Sequence, residues 1–234
     1  MAGDAGGSVG TGVSRRSVLG GAGKVAAAGV ALGAAGAVVA PELAGANAAG
    51  GIAVSPKGTT AIEFLAQIQQ DGDGLIAFGY LTEVAGLSAA DLFTGTPADG
   101  TARLTAYATG KVGTRTANGA VHNLDLSGVL TIYSLPGGGA SFGNADSFKA
   151  GTPVAAYSLS IQDVLAVIAP NTGVPTLIGD LRQTSASSLG AGKGKFGQNG
   201  NRLRLLATGL GTRANSDPQP PVATLTVAGN LATV

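Results

Sequence analysis

Residues 103–132 read RLTAYATGKVGTRTANGAVHNLDLSGVLTI. Leu104, Ala106, Ala108 and Val112 fall on one parity, and Arg103, Thr105, Tyr107, Thr109 and Lys111 on the other. After Asn118-Gly119, a two-residue hairpin signal of the I′ kind, Leu124, Leu126, Leu130 and Ile132 alternate with Asn123, Asp125, Ser127 and Thr131. Successive side chains of a strand point to opposite faces, so the stretch predicts two paired antiparallel strands, each with one apolar face.

The same period extends in both directions. In Ala61–Gln70, Ile62, Phe64, Ala66 and Ile68 share a face opposite Glu63, Gln67 and Gln69. Asp71-Gly72-Asp73-Gly74 is a tight turn into Leu75–Val84, where Ile76, Phe78, Tyr80 and Val84 are grouped as one apolar face. Ala85–Phe93 offers a single helical turn capped by Ser88. Beyond a glycine-rich loop from Pro136 to Gly151, which carries Phe142 and Phe148, come Pro153–Ile168 and Pro175–Ala186. A second glycine-rich loop, Gly190–Gly200, precedes Arg202–Arg213 and Val222–Ala232. That makes eight strands, joined mostly by short turns. Hiding one face of each and removing free edges is achieved by a single antiparallel eight-stranded β-barrel, whose interior is filled by side chains or holds one small ligand. A two-sheet β-sandwich is the alternative.

Of 234 residues, 44% are hydrophobic and 12% charged, with 40 Gly and no Cys or Trp. Disordered, collagen-like and coiled-coil classes are excluded, as are disulfides, thiol nucleophiles and Cys-held metals. The first 48 residues read as a signal peptide. Ser14-Arg15-Arg16-Ser17-Val18-Leu19 precedes a weakly apolar stretch, Val25 to Ala40, made almost wholly of Ala, Gly and Val. That stretch is shorter than the roughly 20 residues a membrane-crossing helix needs, so no permanent anchor is expected. Ala44-Gly45-Ala46 and Ala46-Asn47-Ala48 both have the small-x-small form of a cleavage site, placed here after Ala48.

This motif resembles a twin-arginine translocation (Tat) signal, Ser-Arg-Arg-x-Phe-Leu-Lys, with Val18 in place of Phe and Gly20 in place of Lys. The resemblance implies export of an already folded bacterial protein to the periplasm, envelope or exterior, with the translocase and signal peptidase as transient partners. Cleavage leaves residues 49–59 as a linker and 60–234 as the barrel domain. It removes three of 14 basic and two of 13 acidic residues, so the remainder is balanced in charge and nucleic acid is not an expected partner.

In length, strand count and secretory context, residues 60–234 are similar to the allene oxide cyclase and dirigent type of eight-stranded barrel. The similarity is architectural. No catalytic motif of that family is matched, and no functional residue carries over.

Candidate chemistry is sparse. Gly139-Ala140-Ser141-Phe142-Gly143 has the form of a nucleophile elbow, but loop follows the serine and the single histidine, His122, precedes it. Gly192-Lys193-Gly194-Lys195-Phe196-Gly197 has the dinucleotide-binding spacing without the strand and helix that motif requires. Asp71-x-Asp73 opens like a calcium loop but lacks the later ligands, and reads as a hairpin turn. His122 falls on the apolar parity with Leu124 and Leu126, and it is the side chain that titrates nearest neutrality. Glu63, Glu83, Asp125 and Asp180, with Arg103, Arg182, Arg202 and Arg204, form an expected exterior ladder. If the faces invert locally, Glu83 and Tyr80 line a pocket at one mouth. No cofactor or metal is implied. The reading is therefore a soluble exported barrel, a non-enzymatic module for a small apolar molecule or cell-surface component. The alternatives are a cofactor-free cyclase or isomerase drawing on His122, Glu83 and Tyr80, and a structural envelope protein.

Overall fold

Alternation on this scale closes into a ring. A computed structural model describes residues 52–190, 193–216 and 219–234. The expected export signal (Ser14, Arg15, Arg16, Leu19) and cleavage site (Ala46, Ala48) lie outside the described residues, as does Gly192 of the glycine-rich motif. The eight strands are β1 (Thr60–Asp71), β2 (Gly74–Val84), β3 (Leu104–Asn118), β4 (Val121–Ser134), β5 (Thr152–Ala169), β6 (Thr172–Ala186), β7 (Arg202–Arg213) and β8 (Val222–Thr233). Each pairs antiparallel with its sequence neighbours, and β8 pairs back onto β1, making a closed barrel rather than a sandwich.

The two ends differ. Pairs β1–β2, β3–β4 and β5–β6 turn over within two residues, and β7–β8 over a longer loop, at what we call the hairpin end. At the other, loop end lie the long connections 85–103, 135–151 and 187–201. The β3–β4 turn is Gly119-Ala120, since Asn118 pairs with Val121, and only Gly119 has a positive φ, 59°. That is the II′ pattern, one residue later than an Asn-Gly I′ turn. Gly72, at φ 60°, does the same for β1–β2.

Register fixes which side chains enter the barrel. Ile62, Phe64, Ala66 and Ile68 of β1 stand opposite Leu231, Gly229, Val227 and Leu225 of β8, and all face inward. So do Leu104, Ala106 and Ala108 of β3, Leu124, Leu126, Leu130 and Ile132 of β4, and the buried alternates of β6 and β7. Here the sequence parity and the structure agree. In β2 they part. Phe64, Ala66 and Ile68 pair with Leu81, Gly79 and Ala77, so it is this small-residue row that points inward, and Ile76, Phe78 and Tyr80 point out. A bulge at Glu63/Phe64 returns Val84 to the inner face opposite Ile62. Both parities of β2 are apolar, so alternation alone could not assign them. The outer row carries the rings because the loop-end connections bring aromatic partners over it.

Those rings are buried nonetheless, under the loop-end connections. Phe142 and Phe148, the latter in a 3-10 turn over Ala145–Lys149, pack with their ring centroids 5.0 Å apart, and Phe148 lies 5.4 Å from Phe78. Phe93 meets Tyr80 edge-on at 6.1 Å. Thr105 Oγ1 donates to the Phe148 carbonyl at 2.7 Å, anchoring this loop on β3. The expected helical turn is α1 (Ala89–Leu92), where the Asp91 carboxylate accepts from the Ser88 N–H and hydroxyl.

The loop end is closed by the segment around Phe196, which is fully buried. Gln183, 1% exposed, donates through Nε2 to the carbonyls of Phe196 and Ser185 and accepts from the Gln198 N–H at 3.0 Å. Ile52, in the stretch expected to be a linker, is buried against this segment and donates its N–H to Lys195. Curling eight strands this tightly brings backbones close. At Gly179 a Cβ would lie 2.6 Å from the Ser160 carbonyl oxygen and 2.7 Å from Ile161 Cγ1, so only glycine fits there.

Candidate functional site: the barrel interior

The inner row of β5 runs Tyr157, Leu159, Ile161, Asp163, Leu165, because these pair in turn with inward residues of β4 and β6. Towards the loop end the interior is packed solid by Ile62, Ile132, Tyr157, Leu181 and Leu203, all at most 2% exposed. Further along, the packing opens into a cavity of about 70 Å³ lined by Ile68, Leu75, Ala77, Ala108, Leu126, Leu159, Ile161 and Leu177 among others, almost wholly apolar. It exists because Ala77, Ala108 and Gly110 on β2 and β3 are too small to reach the leucines of β5 and β6. It is partly open to the outside, and it is less than half the size of the roughly 150 Å³ enclosed space that admits benzene.

At its margin stands Asp163, only 5% exposed. Its direct cross-strand partner Leu177 and its predecessor on the same face, Ile161, both line the cavity. Oδ1 accepts from the Thr176 N–H at 3.1 Å, and Oδ2 accepts from no donor among the described residues. Burial pushes the carboxyl up to about 6, and the Thr176 hydrogen bond pulls the other way without offsetting it. Tyr157, fully buried in the packed half, has an O–H with no partner among the described residues, and burial raises its pKa.

The residues singled out from sequence lie apart. His122 is half-buried on the inner face near the hairpin end, where it pairs with Leu165 and so stands diagonally across β4–β5 from Asp163. Tyr80 is on the outer face against Phe93 and Phe142, its pKa raised by burial and then by the Asp99 carboxylate. Glu83 is exposed and faces Glu63 across β1–β2. The inner face does not bring these three together. Asp180 sits on the exterior and pairs with Arg204 at 3.0 Å, as the ladder reading expects. Ser141 is exposed in a loop, its Oγ accepting from the Gly143 N–H. In the glycine-rich motif, Phe196 serves as core, and Gly197, at φ 67°, lies against the Gln183 amide where no side chain fits.

Asp163 lies outside the set of strand carboxylates, Glu63, Glu83, Asp125 and Asp180, that read as candidates from sequence. A signal for it existed. Tyr157, Leu159, Ile161 and Leu165 share its parity, and an acid on an apolar row is an informative exception.

The chain matches no protein-family model, and neither a curated protein nor a solved structure matches it.

Proposed function

We propose that this protein is an exported binding module that takes a small apolar molecule, or the alkyl end of a larger one, into the barrel cavity. The observation that carries the reading is the cavity: an apolar gap beside the packed loop-end half of the barrel, walled by aliphatic side chains from six strands. A purely structural barrel gains nothing from a gap, since unfilled space forfeits dispersion contacts. A cofactor-free enzyme needs polar groups converging on its substrate, and His122, Tyr80 and Glu83 occupy separate places. Export rests on the twin-arginine resemblance of Ser14 to Leu19. Translocase and signal peptidase are then partners only in transit, with the mature protein in the periplasm, envelope or exterior.

Xenon titration, followed through the methyl resonances of Ile68, Leu126 and Ile161, tests the pocket. Saturable shifts confined to these methyls are expected, and Ala108→Leu, which fills the gap, removes them while the protein stays folded. Diffuse, non-saturating shifts reject the reading. For export, replacing Arg15 and Arg16 by Lys is expected to stop translocation of a folded reporter; undiminished export rejects the route.

A further inference from the structure

Building on the cavity reading, we infer that the ligand is a short-chain alkyl ammonium, its hydrocarbon part in the cavity and its charged head on the free Oδ2 of Asp163. Asp163 is an anomaly as it stands. An acid on the inner face, 5% exposed, has one backbone donor and no paired cation among the described residues. A buried carboxylate is costly unless it is paired and hydrogen-bonded, and the leucines and isoleucine beside it supply neither. What is missing is a cation that carries hydrogen-bond donors.

The surroundings narrow the size and charge. Ile161 and Asp163 are two residues apart on one face, about 6–7 Å along the strand, which suits a chain on the scale of butyl between cavity and carboxylate. Charged and titratable groups near Asp163 are few. From β4 it faces Leu124 directly and His122 diagonally. Its neighbours on β6, Pro175, Leu177 and Gly179, do not titrate. Arg115 on β3 lies on the same row as Asp163, one strand beyond Leu124, and is exposed, while Arg213 on β7 lies further out, near the exposed Asp71 and Asp73 of the β1–β2 turn. The rim has no strong sign of its own, and the deep charge is the carboxylate.

The test compares n-butylammonium, 1-butanol and butyrate on the full chain by calorimetry and by the methyl shifts of Ile161 and Leu177. At pH 7.5 the amine is expected to bind at least tenfold more tightly than the alcohol, with butyrate weakest. Lowering the pH to 5 protonates the carboxyl and abolishes the preference, and Asp163→Asn abolishes it at both pH values. Because the variant keeps an acceptor for the Thr176 N–H, it is expected to fold. The wild-type pH comparison stands independently of it. A preference lost with pH but kept in Asp163→Asn overturns the inference. Equal binding of amine and alcohol, or tighter binding of butyrate, also overturns it and leaves the cavity reading intact. If none of the three binds and xenon gives no saturable shift, both readings fall.

Discussion

The most exacting prediction concerns stability, since Asp163 makes the barrel less stable as an anion than as an acid. Its carboxyl titrates at about 6 in the folded protein against 3.8 as the ordinary value. Between those values the folded state holds a proton that the unfolded state has released. The stabilisation given by that proton is fully present below pH 4, declines as pH rises through 4 to 6, and is absent above. A shift of this size corresponds to about 2–3 kcal/mol. Asp163→Asn keeps the shape and the acceptor for Thr176 but cannot ionise. At pH 7.5 it is therefore expected to be more stable than wild type by up to about 2–3 kcal/mol, or roughly 5–10 °C in Tm for a domain of this size. At pH 4 the gap should close. Urea denaturation of both proteins at pH 4, 5, 6 and 7.5, with the free energy at zero denaturant plotted against pH, gives the answer. A variant less stable than wild type at pH 7.5 would show that the carboxylate has a compensating partner, and a pH-independent gap would show that its ionisation is irrelevant. Either result refutes the argument.

Three further outcomes follow from the core. Tyr157→Phe removes a buried O–H that has no partner among the described residues, so the unfolding free energy from urea denaturation should hold or rise, by about 1 kcal/mol at most; a loss above that would mean the hydroxyl is bonded. Gln183→Ala leaves the Phe196 carbonyl and the Gln198 N–H without partners, and should cost about 2–4 kcal/mol while speeding hydrogen exchange at residues 196–198; unchanged exchange there counts against the clamp. Gly179→Ala forces a methyl against the Ser160 carbonyl and Ile161, with an expected loss of about 1–3 kcal/mol and altered Ile161 methyl shifts, whereas wild-type stability would mean the strands are further apart.

Much of the architecture was legible because period two is strong wherever one parity is polar. β3 and β4 show this, with Thr105, Thr109 and Lys111 set against Leu104, Ala106 and Ala108. β2 was not legible to the same degree. Leu75, Ala77, Gly79 and Leu81 compete with Ile76, Phe78 and Tyr80, and what decides between them is the aromatic cover supplied by loops far away in sequence. The importance of Phe148 was hidden for the same reason, since a lone aromatic in a glycine-rich loop declares nothing about the strand it covers. The cavity depends on residue volumes summed across six strands, which no local pattern reports. Asp163 is the exception: its misplaced polarity could be seen on the strand itself.

The ring is sewn from neighbours except along one seam. Every pairing joins strands adjacent in the chain apart from β1 with β8, which is reinforced by the Thr233 N–H donating to the Thr59 carbonyl and by the Ser55 and Thr233 hydroxyls 2.8 Å apart. The other pairings can form hairpin by hairpin, whereas this one must wait for the whole ribbon to come round. Until it does, the ribbon has two bare edges, each able to pair with the opposite edge of a second molecule. The seam is thus where folding finishes, and where two chains trapped halfway would trade strands into an interlocked dimer.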